Sequence, residues 1–309
     1  MARGSRTSGP TGGNPRARLA VSSSVLLFLL ACAPHPVPPA PLAPTAAVAL
    51  PAPAPAPLPE PVITEGLPPY WVFPAGRDAL PVVLASNPRI LGVGELHASE
   101  GGPAAVVALA WFREALLPTL APHTTDLVLE TWRVGERCGE VEEVVAETVQ
   151  EETQRVESTP SDLVLLVKAA DAAGVRPHDL AFTCAEYEGL LAADQAVQFG
   201  TLMELLTEKL QAYALAAVDV PDATMVLYGG AVHNDVAPRP ELVAYSYGVA
   251  ARDRAGLDYV ELDLYPPELV KGAMVEPAWA PLLGVVGPDR VVLHERAPGS
   301  FVLLLPTVR

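Results

Sequence analysis

The 309-residue chain carries 36 acidic against 20 basic residues, a formal charge of −16, and every acidic residue lies beyond Cys32. A body this acidic repels nucleic acid and anionic lipid, and no basic patch offsets the repulsion, which excludes a nucleic-acid function. The stretch 67–309 is long enough for one substantial domain with its own core.

Arg3, Arg6, Arg16 and Arg18 make a basic leader, and the apolar run 19–31 that follows is shorter than the ~20 residues a membrane-spanning helix needs. That is the layout of a secretory signal peptide over residues 1–31. The run ends in Leu29, Leu30, Ala31 and Cys32, which resembles the lipobox of bacterial lipoproteins, where the signal is cut before the cysteine and the cysteine is lipidated. The resemblance implies a lipid-anchored protein of the bacterial cell envelope, and Ala33 after the cysteine implies the outer membrane. Residues 32–66 form a Pro/Ala-rich tether. Such a composition cannot bury a core and favours extended polyproline II, so it acts as a semi-rigid spacer.

Within the domain, strands are predicted at 89–95 (RILGVGE), 126–131 (DLVLET), 174–182 (GVRPHDLAF), 223–230 (ATMVLYGG) and 258–264 (DYVELDL), with a closing pair at 290–295 and 300–306. Helices are predicted between them. The stretch 103–121 opens with Pro103 at a first-turn position and carries apolar residues at helical spacing, and 140–157 is amphipathic and acidic. The stretch 160–174 ends in the glycine expected just past a helix, and 187–218 reads as one or two long helices. Strands alternating with helices predict a single α/β domain over 67–309, with a largely parallel central sheet, helices on both faces and a C-terminal hairpin. No internal repeat is visible.

Ionisable residues sit at three of the strand ends. In open α/β sheets, binding sites form beyond the carboxyl ends of the strands, where neighbouring loops converge. Glu95 and His97 end the first strand and are two residues apart, so in an extended chain both side chains point the same way. Glu130 closes the second strand in LVLET, and His233 follows a later one in VLYGGAVHND. An unpaired buried carboxylate or imidazolium costs several kcal/mol, so mutual pairing or a shared ligand is expected, and all four should converge in one pocket at the carboxyl edge. Arg133, just beyond Glu130, is the nearest cation: it balances the carboxylates, holds an anionic substrate, or is a solvated loop residue. Cys138 and Cys184 remain once Cys32 is lipidated, and in an oxidising compartment they are a candidate disulfide. Neither has the short paired spacing that zinc sites favour.

VGELH after one strand, LVLET on the next and YGGAVH at a later strand end resemble the ChaN-like haem-binding lipoproteins and their relatives in the erythromycin esterase and TIKI/TraB groups, over 89–264. The resemblance implies an α/β fold with the functional groups on one sheet edge. It matches Glu95 and His97 to the family's Gly-Glu-x-His, Glu130 to the glutamate ending the second strand, and His233 to the late histidine. The branches differ in chemistry: ChaN-like members are associated with haem or iron uptake, the esterase branch opens a lactone ring, and the TIKI branch is a metal-dependent protease. Here ASEGGP follows His97 where the ChaN-like branch often has further histidines. Tyr187, Tyr245 and Tyr247 are of a type that ligates ferric haem, but no motif assigns them that role, and packing in the core is the simpler reading.

The residues themselves suit hydrolysis. A histidine held by a carboxylate can take a proton from water, and a second carboxylate can orient it or donate to the leaving group. Glu95, His97 and His233 are equally competent ligands for a divalent metal such as zinc or manganese, with water in the open position. No Gly-x-Ser-x-Gly elbow is present, and GVGE lacks the third glycine of a dinucleotide fingerprint. Three functions stay open. One is an exported lipoprotein hydrolase, esterase-like or metal-dependent, acting on a small molecule or peptide with Glu95, His97, Glu130 and His233 as catalytic residues. The others are a haem- or iron-binding lipoprotein serving iron uptake, and a degenerate scaffold that interacts through its surface.

Overall fold

Eight strands, β1 (Trp71–Phe73), β2 (Ile90–Glu95), β3 (Thr124–Val134), β4 (Arg176–Phe182), β5 (Thr224–Gly230), β6 (Tyr259–Tyr265), β7 (Val291–Ala297) and β8 (Ser300–Leu304), form one sheet in the computed structural model. Their spatial order is β1-β7-β8-β6-β2-β5-β3-β4. From β8 to β4 all neighbours pair in parallel, whereas β7 runs antiparallel to both β8 and β1. The fold is therefore α/β with a mostly parallel sheet and a C-terminal antiparallel hairpin. The structure describes residues 57–98, 102–134, 158–192, 195–220, 224–270 and 277–308, all within one compact unit, Pro55–Arg309. The leader, Cys32, Cys138 and the predicted acidic helix at 140–157 lie outside the described residues.

Burial of the central strands on both sides follows from their apolar content. Every residue of β2 is buried. Leu91, Val93, Leu127, Leu129, Val226 and Tyr228 pack on one face with Phe112 and with Leu166 of helix α1 (Thr159–Ala172). Ile90, Val128 and Leu227 point to the other face, against α2 (Cys184–Ala192), α3 (Gln195–Val218) and α4 (Gly248–Ala255). The two-residue period of each strand alternates its side chains between these layers.

Several boundaries differ from the sequence expectation for identifiable reasons. The helix expected over 103–121 begins only at Ala108, continues as a π-helical turn at Phe112–Leu116 and ends in Leu117–Leu120. Val106 and Val107 lie before it and pack on the core, as β-branched residues do readily outside a helix. The stretch 187–218, expected as one or two long helices, is two, and the first begins at Cys184. The first starts early because Thr183 and Glu186 cap it reciprocally: the Thr183 N–H donates to Glu186 Oε2 (2.7 Å), and the Glu186 N–H donates to Thr183 Oγ1 (3.3 Å). Lys209 of α3 then holds Glu186 at 2.6 Å and ties the two helices together. Strand β1 was not predicted, since three residues carry no readable period. Residues at the end of the assigned tether run beside the domain, where Val62 bridges to Tyr70 and the Trp71 indole donates to the Pro59 carbonyl (2.9 Å).

Candidate functional site

Parallel pairing brings the carboxyl ends of β2 and β5 beside β3; Glu130, expected to close its strand, lies within β3, which runs on to Val134, but its pairing with β5 stops at Leu129, where the register with β4 also shifts. Glu95 is in register with Gly230, the last residue of β5, and with Leu264, one residue before the end of β6. Its carboxylate is fully engaged: Oε1 lies 2.6 Å from His97 Nδ1, and Oε2 accepts the Tyr228 hydroxyl at 2.5 Å. An ionised carboxylate only accepts, so Nδ1 of His97 carries the proton and the lone pair of a neutral ring sits on Nε2. Tyr228 is held in turn by Phe112, whose ring centroid is 4.7 Å away, in the π-helical turn. The histidine is thus oriented by a chain of contacts that starts in the core.

His233 is oriented by different means. It occupies the single helical turn Ala231–Asn234 after β5 and is 1% exposed. Its Nδ1 lies 2.8 Å from the Tyr245 carbonyl and 2.9 Å from Thr207 Oγ1, whose own proton goes to the Met203 carbonyl (2.8 Å). Both neighbours of Nδ1 are therefore acceptors, and Nδ1 is the protonated nitrogen. The buried Nε2 has no hydrogen-bond partner and faces Glu130 Oε1 at 3.7 Å. At that separation the two groups face each other without a hydrogen bond.

The glycines of YGG are set by the close approach of Glu130. A Cβ on Gly229 would stand 2.5 Å from Glu130 Oε2 and 2.9 Å from Glu130 Cβ, closer than carbon tolerates. The next amide, Gly230 N–H, donates to Glu130 Oε2. A Cβ on Gly230 would sit 3.2 Å from His97 Nε2 and 3.4 Å from Glu130 Oε2, so these groups close on one point. Gly229→Ala is expected to push Glu130 off the Gly230 amide and lower stability by about 1–3 kcal/mol. Urea unfolding of the variant checks the loss.

All four predicted residues, Glu95, His97, Glu130 and His233, line one cavity of about 500 Å³ at this edge. Phe199, Met203 and Leu242 supply apolar wall, and Arg239 and Asp235 supply charge. A volume of that size suits a small organic ligand. Arg239 is mostly exposed and pairs with Glu241 at 3.2 Å, so it is a rim cation. Arg133 continues β3 opposite Ala181, and its side chain lies outside the described residues. A second cavity of about 520 Å³ opens at the amino edge beside Arg89, His123 and Asp258, and none of the four residues reaches it.

Among the described residues no group of three or more His, Cys, Asp or Glu side chains is placed to hold a metal ion. Glu95 gives one oxygen to His97 and accepts Tyr228 at the other, the arrangement by which a carboxylate orients an imidazole. The tyrosines offer no haem ligand of obvious fit either. Tyr187 and Tyr247 are buried core residues, and burial drives the Tyr247 phenol far above its ordinary range, away from the phenolate that binds ferric iron. Tyr245 contributes its carbonyl to His233.

Tyr228, Thr207 and the Tyr245 carbonyl escaped the sequence reading. Only Tyr228 left a signal, as the aromatic directly before the two glycines that receive Glu130. Cys184, the first residue of α2, is disulfide-bonded, while Cys138, its proposed partner, lies outside the described residues. We expect thiol titration of the denatured, unreduced protein to find neither Cys138 nor Cys184 reactive, and reduction to lower stability by about 2–5 kcal/mol.

No family model matches the chain, and no curated protein matches it. Two solved structures are similar in part. The type III effector HopBA1 is 12% identical, with 76% of this chain and 94% of that one covered at a TM-score of 0.40. A protein from Bacillus cereus is also 12% identical, with 60% of this chain and 68% of that one covered at a TM-score of 0.33. Likenesses of this size establish neither a shared family nor a shared chemistry.

Proposed function

We propose that the domain is a hydrolase of ester bonds in small molecules, carried on the outer membrane of a bacterium through a lipid on Cys32. One observation supports the chemistry above the rest. The Tyr228–Glu95–His97 chain ends in an imidazole nitrogen that meets Glu130 and His233 around the backbone of Gly230, at the wall of a cavity. His97 Nε2 takes a proton from water as the oxygen attacks the ester carbonyl, and Glu95 stabilises the imidazolium that forms. His233, protonated and with Nε2 facing the Glu130 carboxylate, gives its Nε2 proton to the alkoxide as it leaves. The proton gained by His97 then returns to His233 through solvent, which restores the site. The motif resemblance to the erythromycin esterase branch agrees with this reading.

Release of p-nitrophenol from a series of p-nitrophenyl esters by the full chain tests the proposal. Turnover above buffer in the wild type, lost in Glu95→Gln and in His233→Ala, supports it. Folded wild-type protein inert toward every ester in the series would overturn it. For the anchor, metabolic labelling with radioactive palmitate should mark the wild type and leave Cys32→Ala unlabelled and released from the membrane fraction. An unlabelled, fully soluble wild type would remove the lipoprotein reading.

A further inference from the structure

We propose that Asp263, held by Arg296, is a positioning residue that fixes His233 through Asn234; the inference rests on His233 acting in the site as described above. The turn Ala231–Asn234 is four residues long and cannot hold itself in place. Its orientation comes from outside. The His233 carbonyl accepts the Tyr247 amide (2.8 Å), the Asp235 carbonyl accepts the Ser246 hydroxyl (2.5 Å), and the Asn234 carbonyl accepts the Tyr259 hydroxyl (2.7 Å). The Asn234 side chain, next to His233 in the chain, donates Nδ2 to Asp263 Oδ1 at 2.9 Å and to the Gly92 carbonyl at 3.2 Å.

Asp263 is 1% exposed and uses its two oxygens differently. Oδ1 faces Asn234, while Oδ2 receives Arg296 Nη2 at 2.7 Å and the hydroxyl of Tyr265, a cavity-wall residue, at 3.3 Å. Arg296 comes from β7 and is itself steadied by Ser300, whose hydroxyl accepts its Nε–H at 3.2 Å. A single carboxylate thereby joins the C-terminal hairpin to both the histidine turn and the cavity wall. Strand β2 is shaped to admit this contact: a Cβ on Gly94 would collide with both Asn234 Oδ1 and Asp263 Oδ1. An apolar residue at 263 could fill the same space, but it would leave one Asn234 Nδ2–H without an acceptor and Arg296 with Glu261 as its remaining carboxylate.

The test compares Asp263→Ala with Asp263→Asn in the full chain by two readouts. Imidazole nitrogen shifts of His233, followed across pH, report the tautomer whether or not any ester is cleaved. Steady-state kinetics on a p-nitrophenyl ester report the consequence. Asp263→Asn keeps an oxygen for Asn234 but sets an amide donor against Arg296 Nη2, so it should retain the wild-type tautomer and most of the turnover while lowering stability. Asp263→Ala should mix the tautomers and lower kcat by ~10-fold or more with KM little changed. Asn234→Ala cuts the same link from the other side, should reproduce both effects, and serves if Asp263→Ala does not fold. Wild-type His233 signals in Asp263→Ala or Asn234→Ala would overturn the inference. A wild type without esterase activity would instead overturn the proposed reaction, with the nitrogen shifts still deciding the role of Asp263.

Discussion

His97→Ala should lower p-nitrophenyl ester turnover by at least ~100-fold, the usual contribution of a general base. Its effect on stability should stay within about 0.5–1 kcal/mol, because the ring is partly exposed and lies past the end of β2. Glu95→Gln is the sharper version of the same experiment. The glutamine keeps the shape of the carboxylate but cannot stabilise an imidazolium, and its amide can donate to His97 Nδ1, which would move the ring proton to Nε2. A histidine protonated there cannot accept a proton from water, so turnover should fall nearly as far as in His97→Ala. Tyr228→Phe removes one hydrogen bond to Glu95 and leaves the tautomer, so a loss of roughly 3- to 10-fold is expected. Turnover is measured by p-nitrophenol release and stability by thermal unfolding. The reverse ranking, with Tyr228→Phe the most damaging, would make the Tyr228–Glu95 contact structural and His97 a bystander.

The stability of the domain should fall as pH rises from about 4.5 to about 8, and Glu261→Gln should flatten much of that fall. Glu261 and Asp263 are buried on β6, and Arg296 lies 2.5 Å from the first and 2.7 Å from the second. Burial pushes the Glu261 carboxyl up to about 8, with the neighbouring Asp263 adding to the rise and Arg296 opposing it. Burial also raises Asp263, again against Arg296. A carboxyl that titrates higher when folded holds its proton longer in the native state. Unfolding therefore releases a proton between the ordinary and the raised value, and the native state loses ground as pH climbs through that window. The loss is complete above about pH 8, where Glu261 is ionised in both states. Asp126 works in the opposite direction: despite the raising effect of burial, hydrogen bonds from Thr125, His178 and Arg176 lower it, so its contribution is lost only in acid. Glutamine at 261 mimics the protonated form and should exceed the wild type at pH 8.5 by on the order of a few kcal/mol. Urea unfolding at pH 5.5, 7.0 and 8.5 checks this. A wild-type profile flat over that range, or an equal loss in the variant at every pH, would show that Glu261 is ionised and paired throughout.

Glu95, His97, Glu130 and His233 could be picked out from the sequence because each lies at or just past the end of an apolar run. Strand period and the geometry of parallel sheets are local and generic enough to send such residues to one edge. The roles within the set could not be read the same way. Glu95 is held at its second oxygen by Tyr228, 133 residues away. The tautomer of His233 depends on Thr207 of α3 and on a backbone carbonyl, and a carbonyl has no identity in the sequence. The boundaries that shifted, at Ala108 and at Cys184, were decided by core packing of two valines and by a capping pair rather than by periodicity.

By itself, then, the amino-acid sequence determined the α/β class, the largely parallel sheet, the closing hairpin and the four residues gathered at its carboxyl edge. Those properties follow from hydrophobic period and strand length, which are carried by neighbouring residues. Tertiary structure alone decided which oxygen meets which nitrogen, why Gly94 and Gly229 must be glycines, and that Arg296 of the hairpin meets Asp263, which binds Asn234 beside His233. Each of these is a contact between strands distant in sequence, and its geometry exists only once the sheet order β7-β8-β6-β2-β5-β3 has been assembled.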